Sequence, residues 1–365
     1  MKKHYHLQIL AALLIFTGGL FLVSMFTSNN TEKDQTQPQK PELEPVDSNV
    51  LMGYVQDFRD PASIDYSKLS HIIFSFAHPE KDGSLLMEDD KVSNLSKMVQ
   101  KARQEDTKVM LAVGGAEHLK GGETYDYFKT AIANPTSRTK LINELIKITN
   151  EENLDGIDID FEHPRSKEDA LYLADFTQAL GEKLHSNDKE LSIAVHSKVN
   201  SETGKEVQSV VYNPSMFHYV DHVNVMAYDG QWDGEYNAAN LSPYSFTENI
   251  VNYWSNLFDK HGISKQKLVL GVPFYAQPED LADKQVSYDA IINHDPENAE
   301  RDRVNLNGTT YHYNGETTVI KKTKLALING FGGMVLWELG HDADGAHSLT
   351  SAIFDVQRKR TERPE

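Results

Sequence analysis

Residues 155–162 read Asp155-Gly156-Ile157-Asp158-Ile159-Asp160-Phe161-Glu162. Asp158, Asp160 and Glu162 alternate with Ile157, Ile159 and Phe161. In an extended strand this period of two puts the three acids on one face and the three apolar side chains on the other. A barrel strand needs that division, because its apolar face meets surrounding helices while its other face points into the interior. Seven further apolar runs, rich in Val, Ile, Phe or Met, flank this one: Val50–Val55, His71–Ala77, Lys108–Val113, Leu191–Val195, Val220–Ala227, Lys267–Phe274 and Gly332–Trp337. Helix-like stretches separate them, among them Lys91–Gln104, Ser137–Asn150, Glu168–His185 and Phe246–His261. Eight strand–helix repeats predict an α/β fold, a (β/α)8 TIM barrel. An open doubly wound sheet is the alternative. It usually carries a glycine-rich phosphate loop after its first strand, and GYVQDFRDP at 53–61 offers none.

Three carboxylates spaced about 6–7 Å apart along a low-dielectric tube cannot all stay ionised. At least one should hold its proton near neutral pH, which is how a carboxyl group is kept as a general acid. Two plainer readings stand beside this one. A charge run is ordinarily a solvated face, although the interleaved Ile and Phe argue against that here. A cation site is the other. The EF-hand pattern fails because His163 stands where glycine is needed, but the spacing is compatible with Mg2+. In a barrel the reacting groups lie at the C-terminal ends of the strands. Glu162, Asp229 and Glu338 all follow apolar runs in that position.

The chain has 365 residues, with 39% hydrophobic and 25% charged, which excludes wholesale disorder and a multi-span membrane protein. A net charge of −18 repels phosphate backbones, so nucleic acid is not expected as a partner, whereas an uncharged sugar polymer tolerates such a field. The absence of cysteine removes disulfides, thiolate nucleophiles and Cys-based zinc sites. Lys2 and Lys3 precede an uncharged run from Leu7 to Phe26, about long enough to cross one hydrocarbon core. We read residues 1–26 as a signal anchor, or else a cleaved signal peptide; a buried core helix is the third option. Lysines on its N-terminal side put the remainder outside, on the extracellular face of the cell membrane or secreted. Residues 27–49 carry Pro38, Pro41 and Pro45 among polar residues and read as a disordered linker. The barrel is then expected over 50–356, and 357–365 as a charged tail. A monomer is expected.

The quoted segment resembles the DxxDxDxE motif of glycoside hydrolase family 18, the chitinases and endo-β-N-acetylglucosaminidases. Other runs match in order. Met226-Ala227-Tyr228-Asp229 resembles the family's MxYD, KLVLGVPFYA at 267–276 its seventh strand, and GGMVLWE at 332–338 its eighth. Ala112-Val113-Gly114-Gly115 resembles SxGG, with alanine where serine is usual, which puts the support of the buried aspartate in doubt. The resemblance covers roughly residues 50–355. It implies substrate-assisted catalysis, with Glu162 as the acid that protonates the leaving oxygen. Asp160 would hold the acetamido N–H of the substrate, and Asp158 would share a proton with Asp160. Tyr228 would donate to the acetamido oxygen, and Asp229 would bond the sugar or Glu162. Trp337 would form the floor of the sugar site, with Tyr54, Phe76, Tyr275, Met226 and Gly115 lining it. For Trp337 alone a core aromatic is the ordinary alternative, and for Tyr54, Phe76 and Tyr275 simple packing. Asp155 is expected to be structural, and Gln231 and Trp232 to offer a further subsite.

The resemblance implies chitin or another N-acetylglucosamine oligosaccharide as partner, with no cofactor and no metal. His341, Asp342, Asp344 and His347 are read as a solvated loop. The segment 277–318, between the seventh and eighth runs, looks too short for the family's α+β insertion and is expected to hold a small hairpin at YHYNG; a shallow groove and endo-type cutting follow. The competing functions are N-glycan cleavage, peptidoglycan hydrolysis and sugar binding without cleavage.

Overall fold

The computed structural model describes residues 50–361. The expected signal or anchor segment and the linker lie outside them. Among the described residues, no helix is long and apolar enough to cross a membrane.

The strands and helices, in chain order, are β1 Val50–Gln56, β2 His71–Pro79, β3 Leu85–Leu86, α1 Asp89–Ala102, β4 Lys108–Gly114, α2 Thr124–Ala133, α3 Pro135–Glu151, β5 Gly156–Asp160, α4 Lys167–His185 and β6 Glu190–His196. Then come β7 His222–Met226, α5 Tyr244–His261, β8 Leu268–Pro273, β9 Tyr275–Pro278, β10 Val286–Ser287, α6 Tyr288–His294, β11 Arg303–Leu306, β12 Thr309–His312, α7 Glu316–Ile328, β13 Gly333–Trp337 and α8 Leu349–Thr361. Eight strands pair in the order β1-β13-β8-β7-β6-β5-β4-β2, and β2 returns to β1. Every pairing around this ring is parallel. It is the expected (β/α)8 barrel.

The alternation in β5 does what its sequence implies. Ile157 and Ile159 are fully buried among the outer-layer apolar side chains, with Phe161 packed on Tyr125 and Phe128. Each such side chain contributes roughly 1.5–3 kcal/mol by leaving water. Inside the ring, Met52, Tyr54, Ile73, Met110, Ala112, Val269 and Val335 fill the tube. The barrel is thus plugged below its mouth, and polar groups reach solvent only at its ends. Asp155, at the foot of β5, accepts the Val109 N–H at 2.8 Å and fastens β5 to β4, the structural part expected of it.

Two expectations need correction. The segment after β8 is no lone hairpin: β9 to β12 form a four-stranded antiparallel sheet, order β10-β9-β12-β11, with α6 between β10 and β11. Its strands have two to four residues, too short for periodicity to reveal. The barrel also runs past residue 356. Helix α8 continues to Thr361, and Gln357 is buried, its amide donating to the Val50 carbonyl at 2.9 Å.

Candidate active site

At the C-terminal mouth of the barrel lies a cavity of about 410 Å³. Asp160, Glu162, Tyr228, Asp229, Met226, Tyr54 and Trp337 line it, with His163, His196 and Trp232. A second cavity of about 530 Å³ adjoins it and shares Ala116, Asp160, Glu162 and His163. Glu162 therefore stands on the ridge between two hollows.

The acidic column descends from Glu162 into the barrel. Asp158 is wholly buried. Its Oδ2 accepts the Tyr54 hydroxyl at 2.8 Å, and its Oδ1 accepts the Ser192 hydroxyl and the Asn224 amide, the latter at 3.1 Å. Burial pushes its pKa up to about 6, held back by these three donors. The alanine at 112 lies directly opposite Asp158 across the β4–β5 pairing. The support that a serine there would give comes instead from Ser192 on β6, Asn224 on β7 and Tyr54 on β1. Asp160 is buried as well, and its Oδ1 has no hydrogen-bond partner. Burial first, then the Glu162 and Asp158 charges, hold its carboxyl far above the usual range. Glu162 lies two residues beyond the end of β5, about a quarter exposed, with His163 Nδ1 3.5 Å from Oε2. Burial and the nearby Asp229 raise it to about 7. A column of three raised carboxyls is the electrostatic result expected of the alternation.

Glycines let the backbone close on this column. Gly114 and Gly115 have positive φ, 128° and 85°. A Cβ at 114 would run into the Asp160 carbonyl, and one at 115 would press on the Phe76 ring at 3.1 Å. The Gly115 N–H donates to the Asp160 carbonyl at 3.1 Å.

Aromatic side chains form the floor. Trp337 meets Tyr54 edge-on at 5.3 Å between ring centres and lies tilted over Phe76 at 6.0 Å. The Ser75–Phe76 and Trp337–Glu338 peptide bonds are cis. Tyr228 and Tyr275 are buried beside Leu241, with Met226 and Trp337 packed on them. Gly271 on β8 leaves room for the Tyr228 ring, since a Cβ there would come within 2.9 Å of it. The Tyr275 and Gln231 side chains both donate to Asp229 Oδ1, at 2.5 and 3.0 Å. Trp232 is 59% exposed and packs on Tyr236. Gln231 is buried and spends its amide on Asp229, so of the two only Trp232 lines the cavity.

Glu338, expected with Glu162 and Asp229 at the strand ends, is not in the lining of either cavity: its buried carboxylate pairs with Arg59, with His341 at 3.4 Å. Other groups escaped the sequence. His196 accepts the Lys198 N–H at Nδ1, which places its own proton at Nε2, and burial lowers its pKa to about 3. It is a neutral donor in the cavity wall. The cluster after β13 does not converge. Asp342 accepts from the Leu349 and Thr350 N–H groups at the start of α8, while His347 pairs with Glu316.

Residues 50–342 match the family described as "Glycosyl hydrolases family 18". The chain belongs to that family. "Probable chitinase 10" of Drosophila melanogaster is 28% identical over 244 residues, 61% of this chain but 10% of that protein, so this chain spans a small part of that relative. Among solved structures, the family 18 chitinase ChiB of Flavobacterium johnsoniae superposes with a TM-score of 0.70 at 24% identity, covering 85% of this chain and 94% of that one. The chitinase-like agglutinin of Robinia pseudoacacia superposes with a TM-score of 0.69 at 19% identity, covering 84% and 99%. At these identities the superpositions speak for the fold alone.

Proposed function

We propose that this family 18 protein hydrolyses β-1,4-linked N-acetylglucosamine chains with retention, by substrate assistance. The observation that carries the proposal is the placement of Glu162: a carboxyl raised to about 7, on the ridge between two adjoining cavities, above two buried aspartates. A glycosidic oxygen crossing that ridge meets an acid still protonated near neutral pH. The sugar on the Trp337 side would offer its 2-acetamido oxygen to its own anomeric carbon. The C–O bond to the leaving sugar breaks as Glu162 gives up its proton, and an oxazolinium ring forms. Asp160, with Oδ1 unpartnered, is free to accept the acetamido N–H and balance its developing positive charge. Asp158 is committed to Tyr54, Ser192 and Asn224, so its part is to press charge on Asp160 from below. The Tyr228 hydroxyl would hold the acetamido oxygen for attack. Water activated by the Glu162 carboxylate then opens the ring and returns the proton. Such glycans lie outside cells, which agrees with the outward topology implied by Lys2 and Lys3.

The test is cleavage of N-acetylglucosamine oligomers by the purified chain and by Glu162→Gln, beside a glycoprotein and a peptidoglycan substrate. Oligomer cleavage that falls by about 10²–10⁴-fold or more in the variant is expected. Cleavage of the glycoprotein or peptidoglycan alone moves the substrate. Oligomer binding without any cleavage makes the protein a sugar binder and ends the hydrolase reading.

A further inference from the structure

Away from the mouth, at the opposite end of the barrel, the first residues of three strands converge. His71 opens β2, Glu190 opens β6 and His222 opens β7. One ligand atom from each lies within 4.8 Å of the others. His71 Nε2 is 2.8 Å from Glu190 Oε2, and His222 Nε2 is 3.7 Å from the same oxygen.

The neighbouring Ser70 occupies the other nitrogen of His71. The Ser70 hydroxyl accepts the Leu51 N–H at 2.9 Å and lies 2.8 Å from His71 Nδ1. That contact fixes the ring so that Nε2 faces the Glu190 carboxylate. His71 is 4% exposed, so the cluster is closed on that side. An Nδ1 held by a neighbouring oxygen is also the arrangement that orients a metal-binding imidazole.

The spacing supports a bound cation. At 3.7 Å, His222 Nε2 is beyond hydrogen-bond reach of Glu190. A tetrahedral ion with ligands at about 2.0–2.1 Å holds neighbouring ligand atoms about 3.3–3.5 Å apart, and the observed 2.8 and 3.7 Å bracket that value. Lys108 pairs with the other oxygen, Oε1, on a side chain nearly half exposed, and leaves Oε2 to the ion. We propose that His71, Glu190 and His222 bind one divalent transition ion of the zinc type, tying β2, β6 and β7 at the end of the barrel away from the mouth. Two imidazoles, a carboxylate and a position left for water suit such an ion better than Ca2+ or Mg2+, which prefer all-oxygen sites.

The experiment titrates the chelator-stripped full chain with Zn2+ by calorimetry, follows its Tm, and records the visible absorption of the Co2+ form. No substrate is present, so the result is independent of the hydrolytic reading. Expected are a Zn2+-dependent rise in Tm and an intense tetrahedral Co2+ band. Both should be lost, with binding at least about tenfold weaker, in Glu190→Gln and His222→Gln, and kept in His261→Gln, an exposed control. Lys108→Met should tighten Zn2+ binding by removing the competing cation, and it decides the matter if the ligand variants do not fold. Zn2+ effects of equal size in wild type, Glu190→Gln and His222→Gln would place the ion elsewhere, for instance at His4 and His6, and overturn the proposal. So would a wild-type chain indifferent to Zn2+, leaving a hydrogen-bonded His71–Glu190 pair, or unchanged affinity in Lys108→Met.

Discussion

In the proposed reaction Glu162 acts first as an acid, so its working form is the protonated one. With its pKa near 7, that form is present below neutrality and is lost as the pH rises through about 7. kcat/KM, which reports groups of the free enzyme, should therefore fall on the basic side of that value. Asp229 is the neighbour whose charge helps to hold the proton there. Its backbone sits at φ 62°, a conformation that asparagine tolerates nearly as well. Asp229→Asn also keeps a carbonyl oxygen to accept from Tyr275 and Gln231. The variant should keep its fold and move the basic limb of the pH profile to lower pH, by up to about one unit. A limb that stays in place would show that Asp229 does not act on Glu162.

At the scale of the element, β4 is shaped by what its last residue, Gly114, lacks. Both Gly114 and Gly121 have positive φ, but a Cβ at 114 meets the Asp160 carbonyl whereas one at 121 meets nothing within 4 Å. Gly121→Ala should cost only the backbone penalty, about 1–2 kcal/mol. Gly114→Ala must also drive β4 away from β5, so a larger loss in urea midpoint is expected, with Asp160 displaced. Equal losses would mean that the contact is not tight. This closeness of two strands was hidden in the sequence, where the glycine pair was visible but its neighbour was not. Much else was legible because it is local: the acidic column lies on one strand, and the eight runs carry their own periodicity. Ser192, Asn224, Arg59 and His196 were not, since each meets its partner from a distant part of the chain and looks like an ordinary polar residue at its own position. The three ion-binding candidates are separated in the same way. Helix α8 was mistaken in part for a tail because Arg358 and Lys359 follow Gln357 directly in the sequence, while Gln357 itself faces inward.

For the whole molecule, the raised carboxyls carry a thermodynamic cost. A carboxyl that binds its proton more tightly when folded contributes stability below its ordinary pKa and loses it as the pH rises to the folded value. For Asp158 that window runs from 3.8 to about 6, and for Glu162 from 4.5 to about 7. These two groups pull the urea midpoint down between about pH 4 and pH 7, while His78 and His196, lowered by burial to about 4 and about 3, push it up over much of the same range, so a comparison of variants isolates the carboxyl's share. Glu162→Gln, which cannot ionise, should flatten part of that decline. It should be the more stable protein at pH 7 by on the order of 2–3 kcal/mol. A variant with the wild-type slope would show that Glu162 titrates normally.

The four-stranded insertion joins the barrel where β9 continues almost directly from β8, and the residue at that root, Tyr275, is the one whose hydroxyl holds Asp229. Farther out, the Pro278 carbonyl accepts the hydroxyl of Tyr236, the residue packed on Trp232. Heredity can therefore work on the two parts at different rates. The exposed residues 279–285 and 307–308 beyond Pro278 can change their surface, while buried Tyr275 keeps Asp229 in its place. A lineage could alter the outer face of the insertion without disturbing the carboxylate at its root.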